Sequence, residues 1–505
     1  MNAGGLAGGL SGGPLTIRPM TERDDLDAEF DLRHRAFGAM DAAQRAYRVT
    51  EVGACIADGR QFGAWDSGGP MIGSARFYDL RQWWHGRALP AAGVAGVKVA
   101  PEARGLGVGR ALMTGLLRAM ADRGYALSVL YPATAHLYRS LGWELAGGRY
   151  IAQVPARSLG SLLPADAEAV GGVAAGGAAV GGAAAGAEAV GGAAVGVGGA
   201  AGIREAVGGG LPERPDVRRA VPDDAERVLA VLGSAYAGAR DCGPCTWDAA
   251  SVRRWLADAD LFAYLAGDGF LGYGWDGGHH EMMVHVLRAS SARTARALWG
   301  IVASHASMAR VVRAAVGPAD AVGWLTPEPD VSLSRPEQWM LRVLDPVAAV
   351  AGRGFPAGLD VQVPLVLADP ELPAVAGSYT LTVIGGTGRL RPAHSVRGTA
   401  SDSPERGSAR ARAGSGAGPA VAGPAVAGPA RAGPARAGSA VAGPAGAGSA
   451  GAGPVALGPR GFAAMFAGVP MATLRLAGLA AGGDPGADEA LDAVFAAQPY
   501  LLDYF

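Results

Sequence analysis

Strand-like and helix-like patterns of apolar residues alternate along residues 15–160. The segment "LTIRPM" predicts a strand, and "TERDDLDAEFDLRHRAF" after it predicts a helix that begins with a threonine cap and early acidic residues. Further strands are predicted in "GGPMIGSARFYDLRQWW" and "AAGVAGVKVA". The amphipathic segment "GVGRALMTGLLRAMADRG" predicts a helix that ends at a glycine. This alternation is typical of a mixed α/β domain.

Residues 214–350 open with the same pattern. In "DVRRAVPDDAERVLAVLGSAYAG" a strand, an acidic cap and a helix follow one another, as they do in "LTIRPMTERDDLDAEFDLRHRAFG". Later strand candidates are "LFAYLAG", "GFLGYGW", "EMMVHVLRA" and "EQWMLRVLD". We therefore predict a second copy of the first architecture, although it lacks the glycine-rich segment described below.

A third globular stretch begins at residue 351. It opens with two strands of mostly alternating pattern, "LDVQVPLVLAD" and "GSYTLTVIGG". It closes with "GFAAMFAGVPMATLRLAGLA" and the helical run "ADEALDAVF". We predict an α+β domain over residues 351–505, and its remaining strands have no clear pattern.

Two low-complexity segments separate these stretches. Residues 166–210, within a predicted linker at 161–213, are mostly Ala, Gly and Val and offer little side-chain volume for a core. Residues 396–458 carry a five-residue proline repeat, which excludes collagen because collagen needs Gly at every third position. We expect a flexible linker and a disordered insertion. A membrane span at 169–187 is disfavoured because repeated Gly pairs weaken a helix.

Charge and cysteine content narrow the function classes. The chain has 44 Lys and Arg against 45 Asp and Glu, a net charge of −1, so it has no global attraction for nucleic acid or anionic membranes. Three cysteines do not build a disulfide framework. Residues 1–14 lack the features of a signal peptide, so we expect a flexible tail on a soluble, cytoplasmic protein.

The segment "GVKVAPEARGLGVGRALM" (96–113) carries the most specific chemical signal. A β-branched strand runs through Pro101 into a glycine-rich turn, and a helix is predicted to begin near Arg110. Glycines let ligand oxygens approach the backbone, and the free amides of the helix start point at those oxygens with the positive end of the dipole behind them. The segment therefore predicts a pyrophosphate cradle without a catalytic lysine.

Other phosphate-binding loops have a different spacing. A Walker loop requires Lys followed by Ser or Thr where this chain has Arg110 and Ala111. A Rossmann loop begins G-x-G-x-x-G, whereas Arg104, Gly107 and Gly109 follow the order R-x-x-G-x-G. The remaining alternative is a glycine turn without a ligand, and the strand before it and the helix after it argue against that.

The R-x-x-G-x-G segment resembles the acetyl-CoA loop of the GNAT superfamily of N-acetyltransferases, and "YALSVLYPATAHLYRSLGWELAG" (125–147) resembles the second half of that fold. The resemblance implies that acetyl-CoA lies between two splayed strands. It implies cofactor-binding residues on the first of these strands, in the loop and after the second strand, namely Val97, Lys98, Val99, Arg104, Gly105, Leu106, Gly107, Val108, Gly109, Arg110, Ala133 and Thr134. It implies no metal.

The order of the three globular stretches resembles the Eis (enhanced intracellular survival) family of actinobacterial acetyltransferases. The resemblance is carried by "VAPEARGLGVGRAL", "LYRSLGW", "LRVLDPVAAVAGRGF" and "LDAVFAAQPYLLDYF". It implies tandem GNAT domains, each a mixed twisted sheet with flanking helices, of which the second is degenerate. A sterol-carrier-protein-like α+β domain would follow, and the chain would assemble into a homohexamer.

The same resemblance implies two catalytic groups. Tyr138 matches the family tyrosine that protonates the departing thiolate, and Phe505 matches the terminal residue whose α-carboxylate acts as base. Amine attack on a thioester requires both proton transfers. An α-carboxyl titrates near ~3.3–3.7, so it has to be buried or act through a water to serve as a base. Without the resemblance, Tyr138 reads as a core residue and Phe505 as an apolar anchor.

The chain departs from the family pattern near the acceptor. Ala39 stands where an acidic residue would face a cationic substrate, and Tyr504 rather than an acid precedes the last residue. Asp503 is the acid that would compensate if it points inward. These departures leave the acceptor open among an aminoglycoside, a polyamine and a lysine-like amine.

Two further motifs are discounted. "DCGPC" (241–245) has the C-x-x-C spacing of a thioredoxin site but lacks the strand before it and the helix start that such a site needs. "HHEMMVH" (279–285) fails as a zinc motif because no two of its histidines are four residues apart, and it predicts a strand.

We therefore expect an acetyl-CoA-dependent N-acetyltransferase that acts directly on a primary amine, because no activated Cys or Ser lies near the loop to form an acyl-enzyme. The alternative is a non-catalytic acyl-CoA- or lipid-binding sensor or carrier protein. A third possibility is an enzyme that acetylates protein lysines or N-termini.

Overall fold

The computed structural model describes residues 15–66, 69–162, 215–276, 280–326, 330–393 and 453–503. The predicted tail, nearly all of the predicted linker and insertion, and Tyr504 and Phe505 lie outside these residues. In the described part of the chain, no helix is long and apolar enough to cross a membrane.

The first unit contains the strands and helices expected from its pattern, and in addition a helix at Ala42–Ala57 and a strand at Gln61–Trp65 that the pattern did not predict. Its strands are β1 (Thr16–Pro19), β2 (Gln61–Trp65), β3 (Met71–Trp84), β4 (Arg87–Val99), β5 (Leu127–Leu130) and β6 (Glu144–Pro155). Its helices are α1 (Leu26–Phe37), α2 (Ala42–Ala57), α3 (Val108–Asp122) and α4 (Ala135–Arg139). The predicted threonine cap of α1 was wrong. Asp25 caps the helix instead, because the backbone N–H of Thr21 donates to Asp24 (2.7 Å) in a turn before it.

The second unit has more strands than the first. They are β7 (Arg218–Arg219), β8 (Cys245–Trp247), β9 (Phe262–Ala266), β10 (Gly269–Asp276), β11 (Glu281–Ala289), β12 (Val311–Val316), β13 (Ser332–Leu333) and β14 (Glu337–Val343). Its helices are α5 (Ala225–Ala239), α6 (Ala249–Leu256), α7 (Ala292–Ala303), α8 (Val322–Leu325) and α9 (Pro346–Gly352). The histidine-rich motif leads into β11, which confirms its reading as a strand.

The two units share one sheet, which has fourteen strands within the described residues. The order is β1-β2-β3-β4-β5-β14-β6-β12-β11-β10-β9-β7, with β8 beside β3 and β13 beside β6. Strand β14 of the second unit lies between β5 and β6 of the first, with Met340 opposite Leu130 and Trp339 opposite Gly147. Strand β6 continues to pair with β12. The first unit therefore takes in strand β14 of the second unit, and strand β12 of the second unit pairs with strand β6 of the first.

The third unit forms a separate sheet. Its strands are β15 (Asp360–Leu367), β16 (Gly377–Ile384), β17 (Thr387–Pro392), β18 (Val455–Leu457) and β19 (Ala480–Gly482), in the order β17-β16-β15-β18-β19. Its helices are α10 (Pro459–Phe466), α11 (Met471–Leu476) and α12 (Pro485–Phe495). The pattern predicted β15 and β16. It did not predict β17, β18 or β19, of which the last two are only three residues long.

A buried ion pair connects β14 to the third unit. Arg342 Nη2 lies 2.5 Å from Asp369 Oδ2, and the two side chains are 1% and 4% exposed. Arg342 Nε also donates to the carbonyl of Leu141 (3.1 Å), and Asp369 accepts from the backbone N–H of Leu372 (3.0 Å). The pair therefore holds segments of all three units together.

The substitution Asp369→Asn is expected to destabilise the protein by about 3 kcal/mol, because it leaves the charge of Arg342 buried without a counter-ion. The free energy of the first unfolding transition in urea, followed by tryptophan fluorescence, measures this. Asp360→Asn, at the exposed start of β15, is the matched control. Equal losses of stability in the two variants would contradict the role given to the ion pair.

Candidate functional site

The parallel strands β4 and β5 separate at one end. Residues Ala91 to Val94 of β4 pair with Leu127 to Leu130 of β5, where β5 ends. Strand β4 continues to Val99, and no described strand pairs with this extension on the β5 side. At Gly96 the backbone has φ +59° and a Cβ would lie 2.9 Å from Arg76 Nη1, so only glycine fits this bend. The result is an opening between the strands with a free backbone edge.

The glycine-rich turn leads from β4 into α3 at this opening. Gly105 and Gly107 have φ values of +81° and +82°, in the left-handed region that favours glycine. Gly107 precedes the first residue of α3, and no described side chain caps this helix. The helix begins at Val108, two residues before its predicted start. Its first amides have no intrahelical acceptor, so the positive end of α3 is available to an anion.

The two arginines of the turn make contacts within the protein. Arg104 Nε donates to the carbonyl of Val99 (3.4 Å). Arg110 donates to Ser140 Oγ (2.8 Å) and to a carboxylate oxygen of Glu371 (2.5 Å) in the third unit. Arg110 is therefore engaged by acceptors, whereas no described acceptor contacts the Nη groups of Arg104. Those groups and the backbone amides are the donors of this turn that are left for a ligand.

The side chain of Lys98 is held in a buried ion pair. Its Nζ lies 2.5 Å from Glu29 Oε1 on α1, and both side chains are buried. Burial lowers the pKa of Lys98, and the charge of Glu29 opposes this effect. Ser74 and Gln61 lie in the same buried polar cluster, joined by a hydrogen bond of 2.6 Å. Lys98 therefore offers its backbone, together with Val97 and Val99, to a ligand in the opening.

The loop after β5 forms the other wall. Ala133 and Thr134 are exposed there, and Thr134 directly precedes α4. A methyl group of Leu137 on α4 lies 3.6 Å from the point where a side chain on Gly109 would begin. Helix α4 thus packs against the start of α3, and the structure brings the predicted loop residues and the predicted Ala133–Thr134 segment to one place.

Tyr138 on α4 is buried, with 5% of its surface exposed. Its ring packs edge-on against Trp143 at 6.5 Å between centroids. Within the described residues its hydroxyl has no hydrogen-bond partner, and burial raises its pKa to about 12. A phenol with a raised pKa stays protonated at neutral pH, so this group is able to donate a proton.

The last described residues lie along the junction of the two units, where Tyr500 forms an isolated parallel bridge with Gly148. Tyr500 and Leu501 are buried, and their backbone N–H groups donate to the carbonyls of Cys242 (3.1 Å) and Gly148 (3.2 Å). Two-sided backbone pairing of this kind holds the segment in a fixed register.

This segment ends at the opening between β4 and β5. Arg149 Nε donates to the carbonyl of Leu502 (3.0 Å), and the hydroxyl of Tyr131 donates to the carbonyl of Asp503 (2.7 Å). Tyr131 directly follows the last residue of β5. The predicted base, Phe505, lies two residues beyond Asp503 and outside the described residues.

The sequence pattern does not predict which residues surround Asp503. The side chain of Trp247, from β8 of the second unit, donates a hydrogen bond to its carboxylate, and burial raises the pKa of Asp503 to about 6. The ring of Trp247 packs on Tyr78 at 5.2 Å, and Tyr78 donates to Glu51 Oε1 (2.5 Å). These residues come from distant parts of the chain, and no motif marks them. Within the described residues, no group of three or more His, Cys, Asp or Glu side chains is placed to hold a metal ion.

Comparison with protein families returns the same description twice. Models described as "Acetyltransferase (GNAT) domain" match residues 16–146 and residues 244–343. The second match confirms the predicted repeat of the first architecture. No curated protein is similar enough to the chain to count as a match.

Several solved structures are similar over nearly the whole chain. A GCN5-related N-acetyltransferase from Kribbella flavida is 34% identical with a TM-score of 0.72, and the match covers 97% of this chain and 98% of that one. A GCN5-related N-acetyltransferase from Anabaena variabilis (18%, TM-score 0.67) and Eis1 from Mycobacterium abscessus (20%, TM-score 0.60) match 97% of this chain and all of their own. At these lower identities the last two show a shared fold.

Proposed function

Because the chain belongs to the GCN5-related N-acetyltransferases, we propose that it transfers an acetyl group from acetyl-CoA directly to a primary amine. One observation supports this above the others: three parts of the chain meet at a single opening. They are the unpaired edge of β4, the glycine-led start of α3 and the segment that ends at Asp503. The amine is of the aminoglycoside, polyamine or lysine type.

The donor is proposed to lie along this opening. The backbone of Val97, Lys98 and Val99 would pair with the amide groups of the pantetheine arm, because this edge has no strand partner. The amides from Gly105 to Arg110 would bind the pyrophosphate, since the helix start provides both free N–H groups and a favourable dipole. Arg104, Ala133 and Thr134 would line the ends of the site. GNAT acetyltransferases use acetyl-CoA, and both family matches support this choice of donor.

Transfer requires two proton movements. The amine nitrogen attacks the thioester carbonyl and loses a proton, the carbon–sulfur bond breaks, and the thiolate takes up a proton. We assign the second proton to Tyr138, whose raised pKa keeps it protonated. We assign the first to the α-carboxylate of Phe505, because the described segment before it leads to the opening. The buried carboxylate of Asp503 would attract the ammonium form of the acceptor.

The finer family assignment is also a proposal. The aromatic chain end and the three-part organisation support membership of the Eis family, with a sterol-carrier-protein-like third domain over residues 351–505 and assembly into a homohexamer. The similarity to Eis1 supports the fold that this assignment requires.

A carrier or sensor protein is the second candidate. It is favoured by an apolar cavity of about 400 Å³ in the third unit, lined by Met465, Val469, Leu491 and Phe495 between its helices. A cavity of this size holds a small apolar ligand.

Thiol release from acetyl-CoA separates the two functions. An enzyme is expected to release one thiol for each amine acetylated when supplied with a panel of aminoglycosides, polyamines and lysine peptides. If acetyl-CoA binds but no amine in the panel supports turnover, the carrier is the better assignment.

The substitution Gly107→Ala tests the donor site. A side chain at φ +82° costs about 1–2 kcal/mol of backbone strain, which the turn would relieve by leaving its anion-binding shape. We expect the KM for acetyl-CoA to rise by at least about tenfold. Gly124→Ala is a matched control, because Gly124 has φ +79° and, as at Gly107, a Cβ would meet nothing within 4 Å. An equal rise in both variants would contradict the assignment of the turn.

A further inference from the structure

Lys98 is the only lysine in the chain, and the rest of the 44 Lys and Arg residues are arginines. It lies on the part of β4 that extends beyond the pairing with β5, within the segment proposed to contact the pantetheine arm. Lysine carries a compact charge with three donors on a flexible stem, whereas arginine needs room for a planar fork. This buried position is therefore the one place where the chain uses the smaller ammonium group.

The pairing of β4 with β3 changes register next to Lys98. Between two successive pairs, Ser74 with Lys98 and Arg76 with Ala95, strand β4 contains one residue more than β3. An extra residue of this kind is a β-bulge, which bends the strand and disrupts its ladder of hydrogen bonds. The bulge contains Gly96, and the pairing with β5 ends just before it. The bulge therefore lies where the free edge of β4 begins.

The side chain of Lys98 contacts the backbone of this bulge. Its Nζ donates to the carbonyl of Gly96 (3.3 Å), two residues earlier on the same strand. The same atom lies 2.5 Å from Glu29 Oε1 on α1, and each of the two side chains is 1% exposed. The ammonium group therefore joins the bulge to the first helix of the unit, and the charge of Glu29 compensates its own.

Stability alone does not account for a lysine at this position. Removing two charges from water costs about as much as their attraction returns, so an apolar pair of similar volume is often at least as stable as a buried ion pair. An apolar side chain at position 98, however, would offer no donor to the carbonyl of Gly96. We propose that Lys98 is a positioning residue, which fixes the bulge of β4 and with it the edge along which the pantetheine arm and the thioester of acetyl-CoA would lie. This inference rests on the proposed function.

Because the chain has one lysine, growth with lysine that carries an NMR-active nitrogen isotope at Nζ gives a full-length sample with a single ammonium signal. The signal is assigned by its loss in Lys98→Met. We expect acetyl-CoA to shift it, since the donor would contact the strand edge to which Nζ is bonded through Gly96. ADP, which has the pyrophosphate but no pantetheine arm, should leave the signal unchanged at saturation.

The outcomes of this titration distinguish the inference from the function on which it rests. If acetyl-CoA binds and the signal does not move, or if ADP shifts it equally, the positioning role is overturned and the proposed function stands. If calorimetry detects no binding of acetyl-CoA, the proposed function fails and the inference fails with it.

Two variants separate positioning from stability in an assay with an amine that supports turnover. Lys98→Met leaves the charge of Glu29 buried alone, so it should lower both kcat and the thermal midpoint of unfolding. The double variant, Glu29→Gln with Lys98→Met, has no buried charge at this place and should regain most of the midpoint. Its kcat should still be at least about tenfold below that of the unaltered chain, because a misplacement of ~1 Å costs about 10²-fold. The KM for acetyl-CoA should change by less than about threefold.

Gln61→Met is the matched control, because it changes the same buried polar cluster without removing the donor to Gly96. The Nε2 of Gln61 donates to Ser74 Oγ (2.6 Å) and Glu29 Oε1 (3.4 Å). Its kcat should stay within a factor of about two of the unaltered chain, since the two side chains have similar volumes. If kcat of the double variant recovers together with its stability, Lys98 has a structural role only. An equal loss of kcat in Gln61→Met would assign the effect to the whole cluster and contradict the proposal.

Discussion

Replacing Tyr138 with phenylalanine is expected to lower kcat by about 10²- to 10⁴-fold, the usual contribution of a general acid. The thiolate of coenzyme A is a poor leaving group without a proton, and the buried hydroxyl of Tyr138 is the proposed donor. Because the ring remains and its hydroxyl has no partner within the described residues, packing in the core changes little. The KM for acetyl-CoA should stay within a factor of about two, since the proposed binding site of the donor is the backbone of the glycine turn.

Two measurements distinguish proton donation from a structural role. Tyr125→Phe is the matched control, because Tyr125 packs against the same core and its hydroxyl bonds to Asp79 away from the opening. A thioester of an acidic aryl thiol needs no proton to leave, so with that donor the defect of Tyr138→Phe should nearly disappear. An intact rate with acetyl-CoA would remove Tyr138 from the mechanism.

The glycine turn and the helix start that form the proposed donor site were predictable because their signals are local. A β-branched strand, a turn with Gly105 and Gly107, and an amphipathic helix lie within about twenty consecutive residues. Backbone preferences account for the turn and for the helix start: left-handed φ values need glycine, and the first turn of a helix exposes its amides. The boundary error at α3 was two residues, and the cap of α1 was misplaced because an acidic turn precedes it.

The exchange of strands between the units could not be predicted from pattern. The sequence of β14 predicts an ordinary strand of the second unit, and its run of apolar residues does not specify which strand it pairs with. The structure places it between β5 and β6, about 200 residues earlier in the chain. Pairing between strands that lie so far apart in the sequence depends on the whole fold.

The residues around Asp503, at the proposed acceptor side of the opening, were missed for the same reason. Tyr131, Trp247 and Asp503 come from three separate segments, and none of them belongs to a motif. The sequence suggested Asp503 as a compensating acid. It did not indicate the partners of Asp503, because these depend on the pairing of β8 with β3. The pairing of this tryptophan with this carboxyl is a contact between distant segments, and a single sequence does not show which distant segments meet.

Adding one glycine after Phe505 is expected to lower kcat by at least about 10²-fold, because it moves the α-carboxylate by ~3.5 Å and a misplacement of ~1 Å already costs about that much. The segment before it is anchored, since the carbonyl of Asp503 accepts from Tyr131 (2.7 Å), so the extension cannot be absorbed upstream. The KM for acetyl-CoA should not change. Burial raises the pKa of Asp503 to about 6, and an α-carboxylate buried in the same way would shift in the same direction, which would make it a stronger base.

Two controls separate the position of the carboxylate from the packing of the terminal ring. Phe505→Leu keeps the carboxylate at the same place on the backbone and should retain most of the activity, whereas a glycine added before Met1 should have no effect. If Phe505→Leu loses as much activity as the extended chain, packing of the terminal ring, and not the position of the carboxylate, would account for the loss. A wild-type rate from the extended chain would exclude the terminal carboxylate as the base. Asp503 would then be the next candidate, and Asp503→Asn tests it by removing the only other carboxylate described on this terminal segment.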